Sequence, residues 1–185
     1  MTRETDPLRG LETKHLPFET RSGLGGDGRV EGYASLFETP DESGDVIAPG
    51  AFSASLARRR GGLAMLWQHD PAEPIGVWDE AAEDGRGLRV TGRILTEIRR
   101  GGEAAALLRA GAIDGLSIGY RTLRAQRAPG GGRRLLEIEL WEVSLVTFPM
   151  LAGARTDAGR DGDETVGGDG VGLAEALRAA RTLFQ

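Results

Sequence analysis

The chain carries two histidines and no cysteine. Thiol nucleophiles, thiolate metal sites and disulfides are therefore excluded, and imidazole chemistry rests on His15 or His69. His15 stands in a polar N-terminal stretch beside Pro17 and reads as an ordinary surface residue. His69 ends the apolar run LAMLWQ, where a strand presents its last side chain to a cleft and Asp70-Pro71 sets the exit of the chain. Taken alone, it reads as a half-buried histidine bonded to a backbone carbonyl.

Ser117 lies in Gly115-Leu116-Ser117-Ile118-Gly119, the G-x-S-x-G string of hydrolase nucleophile elbows. An elbow needs a helix directly after the serine and a histidine later in the chain. Here Tyr120, Arg121 and Thr122 continue a strand pattern, and no histidine follows residue 69. What survives is His69 preceding Ser117, with the imidazole accepting the proton that a serine hydroxyl must lose to become a nucleophile. Gly115 and Gly119 would let a substrate backbone approach the serine, and a β-bulge or tight packing accounts for them nearly as well.

A third group is sought on the strand pattern of residues 135–148. With a period of two, Ile138, Leu140, Val146 and Phe148 share a face with Glu142, while Glu137 and Glu139 point to solvent. A carboxylate on an apolar face must be paired. Glu142 is thus the best acid to orient the imidazole, and a buried ion pair with an arginine accounts for it equally well.

These residues need elements to hold them. Residues 30–37 read as a strand, Val46-Ile47 as a short apolar pair, and AFSASLARRR as a helix stopped by Gly61-Gly62. LAMLWQHD reads as a buried strand, and IGVWDEAAED with GRGLRVTGRIL as two paired strands around a Gly85/Gly87 turn. A helix is expected over residues 103–110, closed by Gly111. LSIGYRTLRA and RRLLEIELWEVSLVTFP are strand-like, separated by a turn at residues 129–132. Residues 1–29 form a mixed segment with a Gly-rich patch. Residues 153–172, rich in Gly and Asp, predict a disordered linker, and residues 173–185 a short amphipathic helix.

The formal charge of −5 argues against nucleic acid as a ligand. The run Arg58-Arg59-Arg60 reads as a solvated helix end complementing the dipole. No apolar run approaches the roughly 18–20 residues of a membrane span, and the start MTRETDPLRG lacks a signal-peptide core, so an intracellular protein without membrane contact is expected.

Several blocks together carry a resemblance: EGYASLF, Asp45-Val46 with Pro49-Gly50-Ala51-Phe52, LWQHD with Pro74-Ile75-Gly76, GLSIGY, and WEVSLVTFPM. In this order, over about residues 30–152, the chain resembles the prohead proteases of tailed bacteriophages and related particles, including prophage remnants and gene-transfer particles. The resemblance implies a herpesvirus-assemblin-like serine protease, a β-rich α+β fold with a closed antiparallel β-barrel ringed by a few helices. It implies a catalytic pair at His69 and Ser117. The third member varies in kind across the clan and is assigned to Glu142. It further implies cleavage of scaffold, or of the scaffold-like leader of the major capsid protein, inside the immature capsid in the host cytoplasm. Self-cleavage and self-association are open, and no cofactor is expected.

The rival reading is a non-enzymatic scaffold or assembly protein that keeps the fold for binding. Asp41, Ser43 and Asp45, or Asp161 and Asp163, faintly suggest calcium ligands, but neither group has the ligand count or the bidentate glutamate of an EF-hand loop.

Overall fold

A computed structural model describes residues 11–17, 28–41, 43–59, 62–128 and 131–147. The expected linker over 153–172, the helix over 173–185 and Phe148 lie outside the described residues. The elements are β1 (Glu12–Pro17), β2 (Arg29–Leu36), β3 (Val46–Ile47), α1 (Ser53–Arg58), β4 (Ala64–Trp67), β5 (Asp70–Glu83), β6 (Gly87–Ile94), α2 (Arg99–Arg109), β7 (Gly115–Arg127) and β8 (Arg133–Val146). Helix α2 begins four residues before the expected start at 103, on Arg99 and Arg100, whose side chains bond Glu73 and Glu103.

All eight strands join one curled sheet in the order β1-β7-β8-β4-β5-β6-β2, with β3 added on β8. Two features differ from the expected closed antiparallel barrel. Strands β3 and β4 run parallel to β8, so the sheet is mixed. The hydrogen-bonded path ends at β1 and β2, and among the described residues no ladder joins these two strands. The parallel β4–β8 pairing follows from connectivity: β8, the last strand described, pairs antiparallel with β7 just before it and lies on its other side against β4, a strand distant in sequence.

The core fills the concave side of this sheet. It includes Val30, Phe52, Met65, Ile75, Trp78, Leu88, Val90, Ile118, Tyr120, Ile138, Leu140, Val143 and Leu145. Trp78 reaches across it to donate its indole N–H to Val143 O at 3.1 Å, satisfying the one polar atom of a large buried side chain.

Strand β8 changes phase within this core. Gly119 pairs with Glu142 but Tyr120 pairs with Leu140, so Trp141 is the extra residue of a β-bulge. Ile138 and Leu140 therefore face the core together with Val143 and Leu145, while Glu142, Ser144 and Val146 point to the opposite face. The uninterrupted alternation expected from the sequence, with Glu142 in the row of Ile138 and Leu140, is corrected by this bulge.

Helix α1 holds the bulge in place. Between the end of the β3 ladder and the start of the β4 ladder, one edge of β8 lacks a strand partner, and α1 covers it. Ile138 N donates to Ala51 O at 3.0 Å, Leu140 N donates to Ser55 Oγ at 2.9 Å, and Arg59 donates to Leu140 O. Backbone groups that would otherwise be buried without partners are thereby satisfied. Within the basic run, Arg59 serves the backbone of β8 and Arg58 lies 3.9 Å from Glu137.

Candidate active site

Strand β4 ends at Trp67 and β5 begins at Asp70, and these two residues pair. The connection is a two-residue hairpin, Gln68-His69, with φ of 52° and 63°. Positive φ at both central positions is the type I′ pattern, which matches strand twist but is usually filled by Asn-Gly. Two non-glycine residues there store strain of about 1–2 kcal/mol each. The turn is tied to β8 against that strain. Gln68 N donates to Leu145 O at 3.0 Å, the Gln68 amide meets Thr147 Oγ1 at 2.5 Å, and His69 N donates to Ser144 Oγ at 3.1 Å.

The parallel β4–β8 ladder brings the turn beside the phase-shifted end of β8. Ala64 is level with Glu142 and Leu66 with Ser144, so the chain leaving Trp67 curls back over these two side chains. His69 Nδ1 lies 2.6 Å from Glu142 Oε1, with the His69 side chain 20% exposed and that of Glu142 2%. Ser144 Oγ donates to the other carboxylate oxygen, Oε2, at 2.5 Å. Among the described residues, no arginine pairs with Glu142.

On the other side of β8, strand β7 places Ser117 directly opposite Ser144 and Gly119 directly opposite Glu142. Directly opposed residues share a face of the sheet. Ser117, Ser144 and Glu142 thus lie on the side away from the main core, and all three are buried. Gly119 is glycine because of this crowding: a Cβ there would overlap Glu142 Oε1 and stand 3.0 Å from Cδ and Cγ. Of the readings open for Gly119, close packing is the one these distances favour.

Edge strand β1 covers the serine. Ser117 is 0% exposed, and its hydroxyl donates to Lys14 O at 3.2 Å. His15 occupies the register position opposite Ser117, while the expectation that its side chain is an ordinary surface group lies outside the described residues. Lys14 anchors β1 from its other face. Its ammonium is buried, donates to Asp45 O at 2.8 Å and lies 3.5 Å from Asp41 Oδ2. Burial pushes the Lys14 ammonium below the ordinary lysine range, against the opposing pull of Asp41 and Asp45.

Asp41 and Asp45 have structural partners. Asp41 Oδ1 accepts from Ser43 N at 3.0 Å, Ser43 Oγ at 2.6 Å and Asp45 N at 2.9 Å, which closes the turn. Burial alone would raise Asp41, but the Ser43 hydroxyl, the Lys14 charge and the two amides together hold it below the usual carboxylate range. Asp45 is clamped by Arg133, whose Nε lies 2.9 Å from Oδ2. No group of three or more metal-ligating side chains occurs among the described residues, and Asp161 and Asp163 lie outside them. No helix among the described residues is long and apolar enough to cross a membrane.

Two nearby acids are engaged elsewhere. Asp70 Oδ1 accepts from Ala72 N at 2.8 Å, and Glu139 Oε2 accepts from Trp141 Nε1 at 3.2 Å and lies 3.6 Å from Arg121. Sequence reasoning passed over Ser144 and Lys14. Ser144 could have been found from its spacing of two from Glu142, which puts both on one face of a strand. Lys14, a lone charge in a polar segment, carried no such signal.

The chain is similar to known proteins over most of its length. It is 36% identical over 162 residues to the prohead protease of Enterobacteria phage HK97, with 83% of this chain and 72% of that protein covered. It is 34% identical over 152 residues to the capsid polyprotein of Pseudomonas phage PAJU2, with 78% of this chain but 21% of that longer protein covered. The fold is similar to that of the bacteriophage T4 capsid assembly protease, with a TM-score of 0.59 at 17% identity, covering 75% of this chain and 98% of that one. Residues 16–166 match the caudovirus prohead serine protease family, and the chain belongs to that family.

Proposed function

We propose that the protein is a serine endopeptidase of capsid maturation, with Ser117 as nucleophile, His69 as general base and Glu142 as the carboxylate that orients the imidazole. The observation that carries this reading is the 2.6 Å contact between His69 Nδ1 and Glu142 Oε1, which selects the tautomer protonated on Nδ1 and leaves Nε2 to accept a proton. Ser117 Oγ gives its proton to Nε2 as it attacks the scissile carbonyl. The imidazolium, stabilised by Glu142, then protonates the departing amine. Water repeats the sequence on the acyl-enzyme.

Attack requires a carbonyl carbon within about 3–3.5 Å of Ser117 Oγ. With Ser117 fully buried and its hydroxyl turned to Lys14 O, β1 must shift before a substrate reaches it. The substrate in this reading is scaffold, or the scaffold-like leader of the major capsid protein, met inside the immature capsid. The same burial favours a second reading, a non-enzymatic assembly protein that retains the fold.

Co-expression with a major capsid protein that carries its scaffold segment, followed by mass measurement, separates the two. The protease reading expects a shortened product that disappears with Ser117→Ala and His69→Ala and persists with His15→Ala. A product of normal yield from Ser117→Ala would end the serine-protease reading. Loss with His15→Ala but not His69→Ala would move the base to β1.

A further inference from the structure

We propose that Ser144 is a positioning residue for the His69–Glu142 pair, a role that rests on the protease reading above. One hydroxyl makes two directed contacts. It donates to Glu142 Oε2 at 2.5 Å and accepts from the main-chain N–H of His69 at 3.1 Å. The other carboxylate oxygen of Glu142 meets the His69 ring, so Ser144 and Glu142 hold the histidine at its backbone and at its imidazole together.

Each contact answers a physical need. His69 has a φ of 63°, a conformation that a non-glycine residue keeps only when its surroundings hold it there. Its amide, turned inward by that conformation, requires an acceptor, and Ser144 Oγ supplies one. Glu142 is 2% exposed at its side chain and would otherwise carry an oxygen without a hydrogen-bond donor in a site with little water. A hydroxyl is the group that can serve both partners, because it donates one hydrogen and accepts on its lone pairs. Ser144 is itself fully buried and pairs across the ladder with Ser117, so the bridge is built directly beside the nucleophile.

Ser144→Ala removes both contacts. The carboxylate then rotates away from Nδ1 and the Gln68-His69 turn relaxes. A displacement near 1 Å in a catalytic group lowers rate by up to about 100-fold. The expected result for the full chain is processing of the co-expressed capsid protein slowed about 10- to 100-fold, together with a lower melting temperature from the unpaired Glu142 oxygen and His69 amide. The far-downfield proton NMR resonance of a His69 Nδ1–H held by Glu142 should shift or vanish. Ser144→Thr, which keeps the hydroxyl, should restore both rate and resonance; should Ser144→Ala fail to fold, Ser144→Cys carries the same comparison with a weaker donor.

An unmoved resonance with an unchanged rate in Ser144→Ala would overturn the proposal. So would a Ser144 that takes up a fluorophosphonate label while Ser117 does not, since Ser144 would then be the nucleophile. The resonance is also read in the Ser117→Ala background, where no chemistry is needed. A shift there on adding Ser144→Ala supports the positioning role even if Ser117→Ala proves active and the protease reading falls.

Discussion

Gly119 and Glu142 face each other across the β7–β8 ladder with no room for a methyl group between them: a Cβ on Gly119 would overlap Oε1, the oxygen that meets His69. Gly119→Ala is accordingly expected to act on the carboxylate rather than on the nucleophile. Processing should fall about 100-fold, as for a misplaced catalytic group. Far-ultraviolet circular dichroism should stay native. An active Gly119→Ala would mean that Glu142 can turn aside without loss.

Glu142→Gln is expected to give a stable but slow protein. No arginine among the described residues is left stranded by neutralising Glu142, so the loss of about 3–5 kcal/mol that follows a broken buried ion pair should not appear. Turnover should drop about 10²- to 10⁴-fold while exceeding that of Ser117→Ala, because the imidazole can still act from a poorer tautomer. Melting temperature and turnover measured on one preparation check both halves.

Asp41 and the buried Lys14 each make stability rise with pH, in two separate windows. Asp41 is held below its unfolded value, so its contribution is complete above the ordinary aspartate range and is lost as pH falls through the lower folded value. Asp41→Asn should flatten the acid limb of a urea-denaturation series. Lys14 is lowered too, and for a base this means that stability rises as pH climbs from its folded value to the ordinary lysine range. Lys14→Met should remove that alkaline rise.

Because Ser117 lies under β1, loosening β1 should expose it. Asp41→Ala removes an anchor of Lys14 3.5 Å away, and the expected result is faster labelling of Ser117 by a fluorophosphonate in the full chain. Equal labelling rates in Asp41→Ala and the parent would show that β1 does not limit access.

Ser55→Ala tests the bulge that sets the phase of Glu142. It leaves Leu140 N–H without its acceptor in a buried setting, expected to cost about 1–3 kcal/mol in chemical denaturation. Ser53→Ala, at an exposed hydroxyl on the same helix that bonds Glu83, should cost less.

Much of the architecture was legible because it is local. The apolar run before His69 and the Gly85/Gly87 turn emerge as β4 and the β5–β6 hairpin, and the strand patterns on either side of residues 129–132 emerge as the antiparallel pair β7 and β8, since strand period and turn chemistry are properties of adjacent residues. Two histidines, no cysteine and the order His69 before Ser117 were enough to exclude an elbow-type hydrolase, whereas Glu142 was selected by strand-period counting along residues 135–148.

What the sequence by itself left open depends on partners far along the chain. The bulge at Trp141 is set by the registers of Gly119 and Tyr120 and held by Ser55 and Arg59, so period counting along β8 alone carried Glu142 to the wrong side of the sheet. The parallel β4–β8 ladder places the Gln68-His69 turn over Ser144, giving an ordinary serine two partners that no local pattern announces. Pairing of β1 with β7 decides that Ser117 is covered, through a carbonyl of Lys14. Each of these rests on hydrogen-bond registers between segments distant in sequence, and such registers are chosen by the packing of the whole sheet.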